Sequence, residues 1–206
     1  MSEPEPPSPA ARRRAAAVSG HLADGTTARR LAADPDAAVR VTALGALHRA
    51  GVLTAADLHR GVADPAPRVR QRAADLVAEL QGAGEAADVA LLGLLDDRDA
   101  TVVETAAWAS GERAEAEPGA VARLAELATA ADDALVREAA VAALGSLGDP
   151  AGLPAILAAT SDKATVRRRA IIALAPFEGP EVDQALERAR SDRDWQVRQA
   201  AEDLLA

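Results

Sequence analysis

Apolar and small residues recur along this chain in a pattern that is repeated six times. Each copy has a valine followed four positions later by an alanine, and successive valines are 30 to 34 positions apart. In the fifth copy Val166, Ala170, Ile171 and Leu174 fall at positions 0, 4, 5 and 8, which is one face of an α-helix. This period, with helical spacing inside it, predicts stacked helix pairs. The valines are Val39, Val69, Val102, Val136, Val166 and Val197, and the alanines are Ala43, Ala73, Ala106, Ala140, Ala170 and Ala201.

The polar residues between these apolar stretches predict how each pair is built. Each copy predicts a first helix (helix A), a turn rich in aspartate and a second helix (helix B) that starts near the valine. Three residues before the valine stand Asp36, Asp99, Asp133 and Asp194, where a carboxylate can accept the free N–H groups of the first turn of helix B. Pro67 falls in that first turn in the second copy, where proline costs nothing.

Arginine and aspartate also recur from copy to copy. An arginine directly follows the valine in every copy except the third, which has Val103, and an aspartate lies four or five residues before each valine. Stacking predicts a ladder of ion pairs between neighbouring copies, in which each exposed pair contributes only about 0–1 kcal/mol and mainly sets the register. The arginines are Arg40, Arg70, Arg137, Arg167 and Arg198, and the aspartates are Asp34, Asp64, Asp97, Asp132, Asp162 and Asp192.

An aspartate turn followed by Val-Arg and then by an alanine four residues after the valine resembles the HEAT repeat family, in particular the short bacterial HEAT-like repeats of phycobilin lyases. The resemblance implies an all-α fold, a right-handed α-solenoid of about six helix pairs over residues 10–206. The segment from Ala10 to Ser19 is predicted to be a capping helix, and residues 1–9, which are acidic and rich in proline, a disordered tail. Val103 and Ser110 depart from the pattern and predict a local irregularity in the third repeat.

Composition restricts the core and the partners. Of 206 residues 49% are apolar, yet Phe, Trp and Tyr together number three, so the predicted core consists of Ala, Leu and Val. The absence of cysteine excludes disulfides and thiolate metal sites. The net charge is −9, and residues 85–138 carry 13 acidic and 4 basic side chains, a field that repels polyanions and favours basic partners or simply solubility. With no signal peptide and no apolar run of membrane-spanning length, we expect a cytoplasmic protein without membrane contact.

No catalytic motif stands out, so we expect neither an enzyme nor a bound cofactor or metal. The three histidines, His21, His48 and His59, are scattered, and none adjoins a glutamate. Nucleophile elbows and phosphate-binding glycine loops are missing. Capping and the ion-pair ladder account for the paired acids of the turns.

The helical wheel nevertheless predicts one candidate binding surface. Positions 2, 3 and 6 after each valine point away from the apolar face, and the resemblance implies that helix B lines the concave side of the solenoid. Trp108 and Ile172 occupy position 6, where an exposed aromatic or aliphatic side chain is typical of a binding anchor. Alternatively, Trp108 folds down to fill space near Ser110. The candidate partner-binding residues are Arg72, Asp75, Glu104, Thr105, Trp108, Glu138, Arg168, Arg169 and Ile172.

Trp195, two residues before its valine, differs from these anchors. We interpret it as a structural plug that covers the C-terminal repeat, with self-association at that end as the alternative.

These observations favour a non-catalytic, monomeric scaffold that captures a protein or peptide partner. A phycobilin-lyase-like accessory factor is an alternative, although the low aromatic content suits a tetrapyrrole poorly. A HEAT-type DNA-binding or alkylpurine glycosylase-like protein is a second alternative. The acidic middle of the chain argues against nucleic acid, because the basic cluster at Lys163 and Arg167–Arg169 is confined to one repeat.

Overall fold

Helices alternate with short turns throughout the computed structural model, which describes residues 6–80, 84–86 and 88–206. Within these residues the secondary structure consists of twelve α-helices and three short 3₁₀ helices, with no β-strand. The chain divides into two compact units, Met1–Val89 and Ala90–Ala206. The prediction of one repeat domain over residues 10–206 therefore stays a prediction, and each unit is described by itself.

The first unit contains five α-helices. Helix α1 follows Ser8, whose hydroxyl accepts the amide of Ala11. It packs against α3 as a helix B without a helix A of its own, which is the position of the predicted cap. The pairs α2–α3 and α4–α5 follow. Of the predicted tail, residues 1–5 lie outside the described residues, and Pro9 already belongs to α1. The helices are α1 (Pro9–His21), α2 (Gly25–Leu31), α3 (Ala37–Arg49), α4 (Ala55–Val62) and α5 (Pro67–Glu79), followed by a 3₁₀ turn at Gly84–Ala86.

The second unit contains four helix pairs. Their longer helices, the B helices α6, α8, α10 and α12, pack side by side in chain order, with the shorter A helices against them. The elements are a 3₁₀ helix (Leu92–Asp96), α6 (Ala100–Gly111), α7 (Ala120–Ala130), α8 (Ala134–Leu147), a 3₁₀ turn (Pro150–Gly152), α9 (Leu153–Ala159), α10 (Ala164–Ala173), α11 (Pro180–Ala189) and α12 (Trp195–Leu205).

The repeated valine and alanine form the core, as predicted. Every repeat valine is at most 3% exposed, and every alanine four residues later is fully buried. Glycine lets the B helices approach still more closely. A Cβ added at Gly145 of α8 would lie 2.7 Å from the Cα of Ala173 in α10, and one at Gly111 of α6 would lie 2.7 Å from the Cα of Ala143 in α8. Small side chains at these contacts therefore set the spacing of the stack.

Aspartates begin the B helices where the spacing predicts it. Asp36, Asp99, Asp133 and Asp194 are N-cap residues, each accepting a backbone amide of the first turn. In the second repeat Pro67 begins α5 without a side-chain cap. These caps satisfy amides that lack a partner within the helix.

The predicted ladder is present in both units, and it is more buried than expected. Arg137 donates from Nε and Nη2 to the two carboxylate oxygens of Asp162 at 2.6 and 2.8 Å, while its Nη1 donates to the carbonyl of Ala131 at 2.7 Å. The two side chains are only 13% and 19% exposed. We call each such arginine with its aspartate an Arg–Asp clamp. Clamps join Arg12 to Asp34, Arg40 to Asp64, Arg137 to Asp162 and Arg167 to Asp192.

Arg12 was not predicted to be part of this ladder. The sequence pattern does not identify it, because Ala11 stands where the other copies have valine. The structure places it in a clamp with Asp34, at 2.7 Å from Nε to Oδ2. The capping helix α1 thus forms the same clamp as the helices of the full repeats.

The third repeat is irregular, as predicted, although Val103 and Ser110 themselves lie in the continuous helix α6. Its helix A is a short 3₁₀ helix, Leu92–Asp96. The carboxylate of Glu117 caps this helix by accepting hydrogen bonds from the backbone amides of Leu91 and Leu92. Val103, in place of the arginine, is buried. Asp132, the turn acid that such an arginine would face, is exposed.

Asp162 and Asp132 allow a matched test of a clamp, since both occupy the same turn position and only Asp162 faces an arginine. Asp162→Asn should lower the free energy of unfolding by about 2 kcal/mol, because a charge-assisted bidentate contact is lost in a largely buried place. Asp132→Asn should change it by less than about 0.5 kcal/mol. Urea denaturation of both variants measures this, and equal losses would show that the clamp adds nothing.

The clamps also predict acid sensitivity. Hydrogen bonds from arginine hold the pKa of Asp34, Asp162 and Asp192 below its ordinary value, against the opposing effect of burial. For Asp64 burial is the largest influence and raises the pKa, but the hydrogen bonds from Arg40 and from the Ala66 amide together lower it. Since unfolded aspartate titrates near pH ~3.9, this stability is fully present above about pH 5 and is lost as the pH falls through the lowered values. Denaturation between pH 7 and 2 should show a smaller acid loss for Asp162→Asn/Asp192→Asn than for the wild type, and parallel curves would contradict the assignment.

The close contact at Gly145 predicts opposite effects of alanine at two helical glycines. Gly145→Ala should destabilise by about 1 kcal/mol, since overpacking of about 1–3 kcal/mol exceeds the gain in helix propensity. Gly45→Ala in α3 should stabilise by about 0.5–1 kcal/mol, because the new Cβ lies 3.7 Å from the nearest atom, Nη2 of Arg72. Thermal unfolding compares the two variants, and a stabilised Gly145→Ala variant would refute the spacing argument.

Candidate partner-binding face

The exposed sides of α6, α8, α10 and α12 form the candidate site of the second unit, which we call the helix-B face. Counted from each repeat valine, two sets of side chains project from it. Position 2 carries Glu104, Glu138, Arg168 and, on α12, Gln199. Position 6 carries Trp108, Ala142, Ile172 and, on α12, Asp203. Because these positions are one helical turn apart, they form two parallel rows across neighbouring helices. We call them the charged row and the apolar row.

The apolar row exposes large side chains. Trp108 is 43% exposed and Ile172 is 38% exposed. The alternative position for the indole, beside Ser110, is not observed. Ser110 is itself buried, and its hydroxyl donates to the carbonyl of Ala106 at 2.8 Å. The position-6 side chains therefore form an exposed apolar surface.

Hollows flank Ile172 on both sides. Between α8 and α10 lies a hollow of about 210 Å³, lined by Ala142, Gly145 and Ser146 from α8 and by Arg169, Ile172 and the chain that follows them. Between α10 and α12 lies a larger one of about 340 Å³, lined by Arg168 and Ile172 on one side and by residues of α12, including Trp195 and Asp203, on the other. The first hollow exists because position 6 of α8 is the small Ala142, whereas the neighbouring repeats have Trp108 and Ile172 at that position.

Trp195 is not the structural plug that the sequence suggested. Its side chain is 64% exposed at the start of α12 and forms a wall of the larger hollow. Its place at the first helical residue, outside the 0, 4, 5, 8 pattern of buried positions, leaves it at the surface. The sequence could have predicted this exposure, since Trp195 directly follows the N-cap residue Asp194.

The charged row is only partly neutralised. Glu138 lies 3.6 Å from Arg169, atom Oε1 to Nη2. Glu104 has no ion pair or hydrogen bond from its side chain within the described part of the chain, and burial raises its pKa, as do the nearby carboxylates of Asp133 and Glu138. Arg168 is exposed and likewise has no side-chain partner among residues 6–80, 84–86 and 88–206. Glu104 and Arg168 are thus the unmatched charges of the charged row.

Thr105 requires a correction. The helical wheel placed it on the open face, but it is only 8% exposed, and its hydroxyl donates to the carbonyl of Thr101 at 2.9 Å. Position 3 in α6 is turned toward a neighbouring element, whereas Arg169 at position 3 of α10 remains 39% exposed. Thr105 is therefore unavailable to a partner.

The other two predicted residues, Arg72 and Asp75, lie in the first unit and belong to an internal charge network. Arg72 contacts Glu79 at 2.8 Å and Asp75 at 3.9 Å, and Glu79 also contacts His48 at 3.2 Å. Burial raises the pKa of Asp75. The positive charge of Arg72 lowers this pKa, and the negative charge of Glu79 raises it further. These charges neutralise one another, so α5 offers less free charge than α6 and α10. Partner binding by the predicted residues stays a prediction.

Other kinds of site find no support in the described residues. Within residues 6–80, 84–86 and 88–206, no three His, Asp or Glu side chains are grouped as they would be around a metal ion. The helices described there also include none that is long and apolar enough to cross a bilayer.

Comparison with solved structures supports the fold. A designed armadillo repeat protein in complex with peptide (KR)4 is similar, with a TM-score of 0.62, 18% identity and coverage of 94% of this chain and 96% of the other. The Escherichia coli protein YibA gives a TM-score of 0.63 at 17% identity, covering 99% of this chain and 77% of that one. The phycocyanin lyase complex of CpcE and CpcF from Nostoc sp. PCC7120 gives 0.58 at 21% identity, covering 74% and 98%. At these identities the likeness shows the fold alone, an α-solenoid of helical repeats, and confirms the predicted fold class.

Sequence comparison identifies the family. No curated protein sequence matches the chain significantly. The model of the family described as HEAT repeats matches residues 56–145 and 121–206, which together span well over half of the chain. Five of the six repeat valines, from Val69 to Val197, and three of the four capping aspartates lie within these residues. The chain belongs to the HEAT repeat family.

Proposed function

We propose that this protein is a non-catalytic scaffold that captures an extended segment of another protein on the helix-B face of its second unit. One observation carries the proposal, namely the exposed apolar row. Trp108 and Ile172 remain at the surface although the fold has buried positions for apolar residues in every repeat. Large exposed apolar groups of this kind mark interaction sites in soluble proteins.

The hollows beside Ile172 provide the shape that such a site needs. Side chains of a bound segment can enter the α8–α10 hollow above Ala142 and the α10–α12 hollow beside Trp195. Helices that are held by close contacts and clamps do not have to order themselves on binding, which lowers the entropic cost of capture.

The similar designed armadillo repeat protein was solved with the peptide (KR)4. This supports a peptide as the kind of ligand that stacked helical repeats accommodate. The similarity to a phycocyanin lyase reflects the shared fold and does not favour chromophore transfer. The turn acids serve as caps and clamps, which accounts for them without catalysis.

Truncation of the apolar row tests the function. A random peptide library displayed on phage is selected against the immobilised full-length protein, and the affinities of the selected peptides are then measured for variants. Trp108→Ala and Ile172→Ala should each weaken binding at least tenfold, because interface anchors of this type contribute about 2 kcal/mol or more. Leu22→Ala is the matched control, since it removes an exposed apolar side chain from the first unit.

Circular dichroism verifies that the variants remain folded, as expected for side chains that are more than a third exposed. If selected peptides bind Trp108→Ala and Ile172→Ala as tightly as the wild type, the helix-B face is not the binding site.

A further inference from the structure

We infer that the segment captured on the helix-B face carries a basic residue and an acidic residue about six positions apart, with an apolar residue midway between them. This inference rests on the proposed function and names the chemistry of its partner. The basic residue pairs with Glu104, the apolar residue enters the α8–α10 hollow, and the acidic residue pairs with Arg168.

The signs of the two charges in the partner segment follow from the two side chains of the charged row that have no ion-pair partner, Glu104 and Arg168. Glu138 is already opposed by Arg169 at 3.6 Å. The carboxylate of Glu104 is repelled by those of Asp133 and Glu138 and has no basic partner within the described residues. A cation at Glu104 therefore offsets the repulsion that Glu104 experiences. The exposed indole of Trp108, one turn further along α6, can add a cation–π contact to the same group.

Arg168 provides the opposite charge at the other end of the row. It is exposed in α10, it lines the α10–α12 hollow, and its guanidinium has no carboxylate partner in the part of the chain that the structure describes. A carboxylate of the partner can pair with it in a bidentate manner. A purely basic or purely acidic segment satisfies only one of the two unmatched charges.

The separation of six positions follows from helix packing. Glu104 and Arg168 both stand at position 2, on α6 and α10, with α8 between them. Packed helices are about 8–10 Å apart, so the two side chains are separated by two such spacings, or about 16–20 Å. An extended chain advances about 3.3–3.6 Å per residue, which makes this distance about five or six residues.

The apolar residue in the middle follows from the apolar row. Ala142 stands at position 6 of α8 between Trp108 and Ile172, and its small side chain leaves the α8–α10 hollow of about 210 Å³ open. A leucine-sized side chain that is midway between the two charges reaches this hollow. Charge and shape thus specify one pattern, basic–x–x–apolar–x–x–acidic.

Three fluorescent ten-residue peptides test the inference at low ionic strength, where exposed charge pairs act most strongly. Each has a central leucine in a Ser/Gly background, with flanking residues three positions away on either side. These are Arg and Glu in the mixed peptide, two Arg in the basic peptide and two Glu in the acidic peptide. We expect the mixed peptide to bind the full-length protein about tenfold more tightly than either other peptide in fluorescence anisotropy, since each mismatch replaces an attraction by a repulsion.

Charge reversal assigns the two ends of the segment. Glu104→Arg should shift the preference to the acidic peptide, and Arg168→Glu should shift it to the basic peptide. Glu178→Arg and Arg188→Glu change the net charge equally at exposed positions that line neither hollow, and they should leave the preference for the mixed peptide intact. If the basic peptide binds best to the wild type and all variants alike, attraction to the acidic chain explains binding and the inference is overturned.

The outcomes separate this inference from the proposed function. Equal affinity for all three peptides that is lost in Trp108→Ala overturns the charge pattern and leaves the binding face in place. If none of the three peptides binds while library-selected peptides still lose affinity in Trp108→Ala, the charge pattern is likewise overturned and the binding face stays in place. Loss of both kinds of binding overturns the function and the inference together.

Discussion

The Arg–Asp clamp is the interaction on which the order of the helices within each unit depends. One guanidinium holds carbonyls of its own turn through Nη1 and the carboxylate of the next repeat through Nε and Nη2. The same aspartate accepts a backbone amide two residues further on in the Asp34, Asp64 and Asp192 turns. Partly buried charges are costly when unpaired, so every member of the clamp has to be in place at once. This requirement fixes the register of one repeat on the next.

The sequence predicted those features that depend on local periodicity. Valine and alanine at positions 0 and 4 can be buried only on one side of a helix, and Asp36 or Asp194 can cap only the helix that follows it. The clamps of Arg137 and Arg167 were predictable for the same reason. Arg12 was missed because Ala11 replaces the valine that marks the other copies.

The candidate face was less predictable, because exposure there depends on neighbouring helices and on side-chain conformation. Thr105 and Arg169 occupy the same position of the repeat, yet one is buried and the other is open. Arg72 looked like a free cation in the sequence, whereas in the structure it pairs with Glu79. Trp195 was interpreted as a plug over the C-terminal repeat, whereas its side chain lies largely at the surface. A periodic pattern shows which way a residue points and does not show what stands opposite to it.

Within the clamps the arginine and its aspartate are 22 to 25 residues apart along the chain, and the carbonyls that the arginine holds lie five or six residues before it. Such spacing tolerates a gain or loss of whole repeats, because each arginine then meets an equivalent aspartate at the same distance. Adding a fraction of a repeat offers no such substitute and leaves a charge unpaired. Changes in length by duplication of complete helix pairs are therefore the ones that this architecture can accept, and each duplicated B helix would bring a new set of outward positions on which different binding residues can evolve.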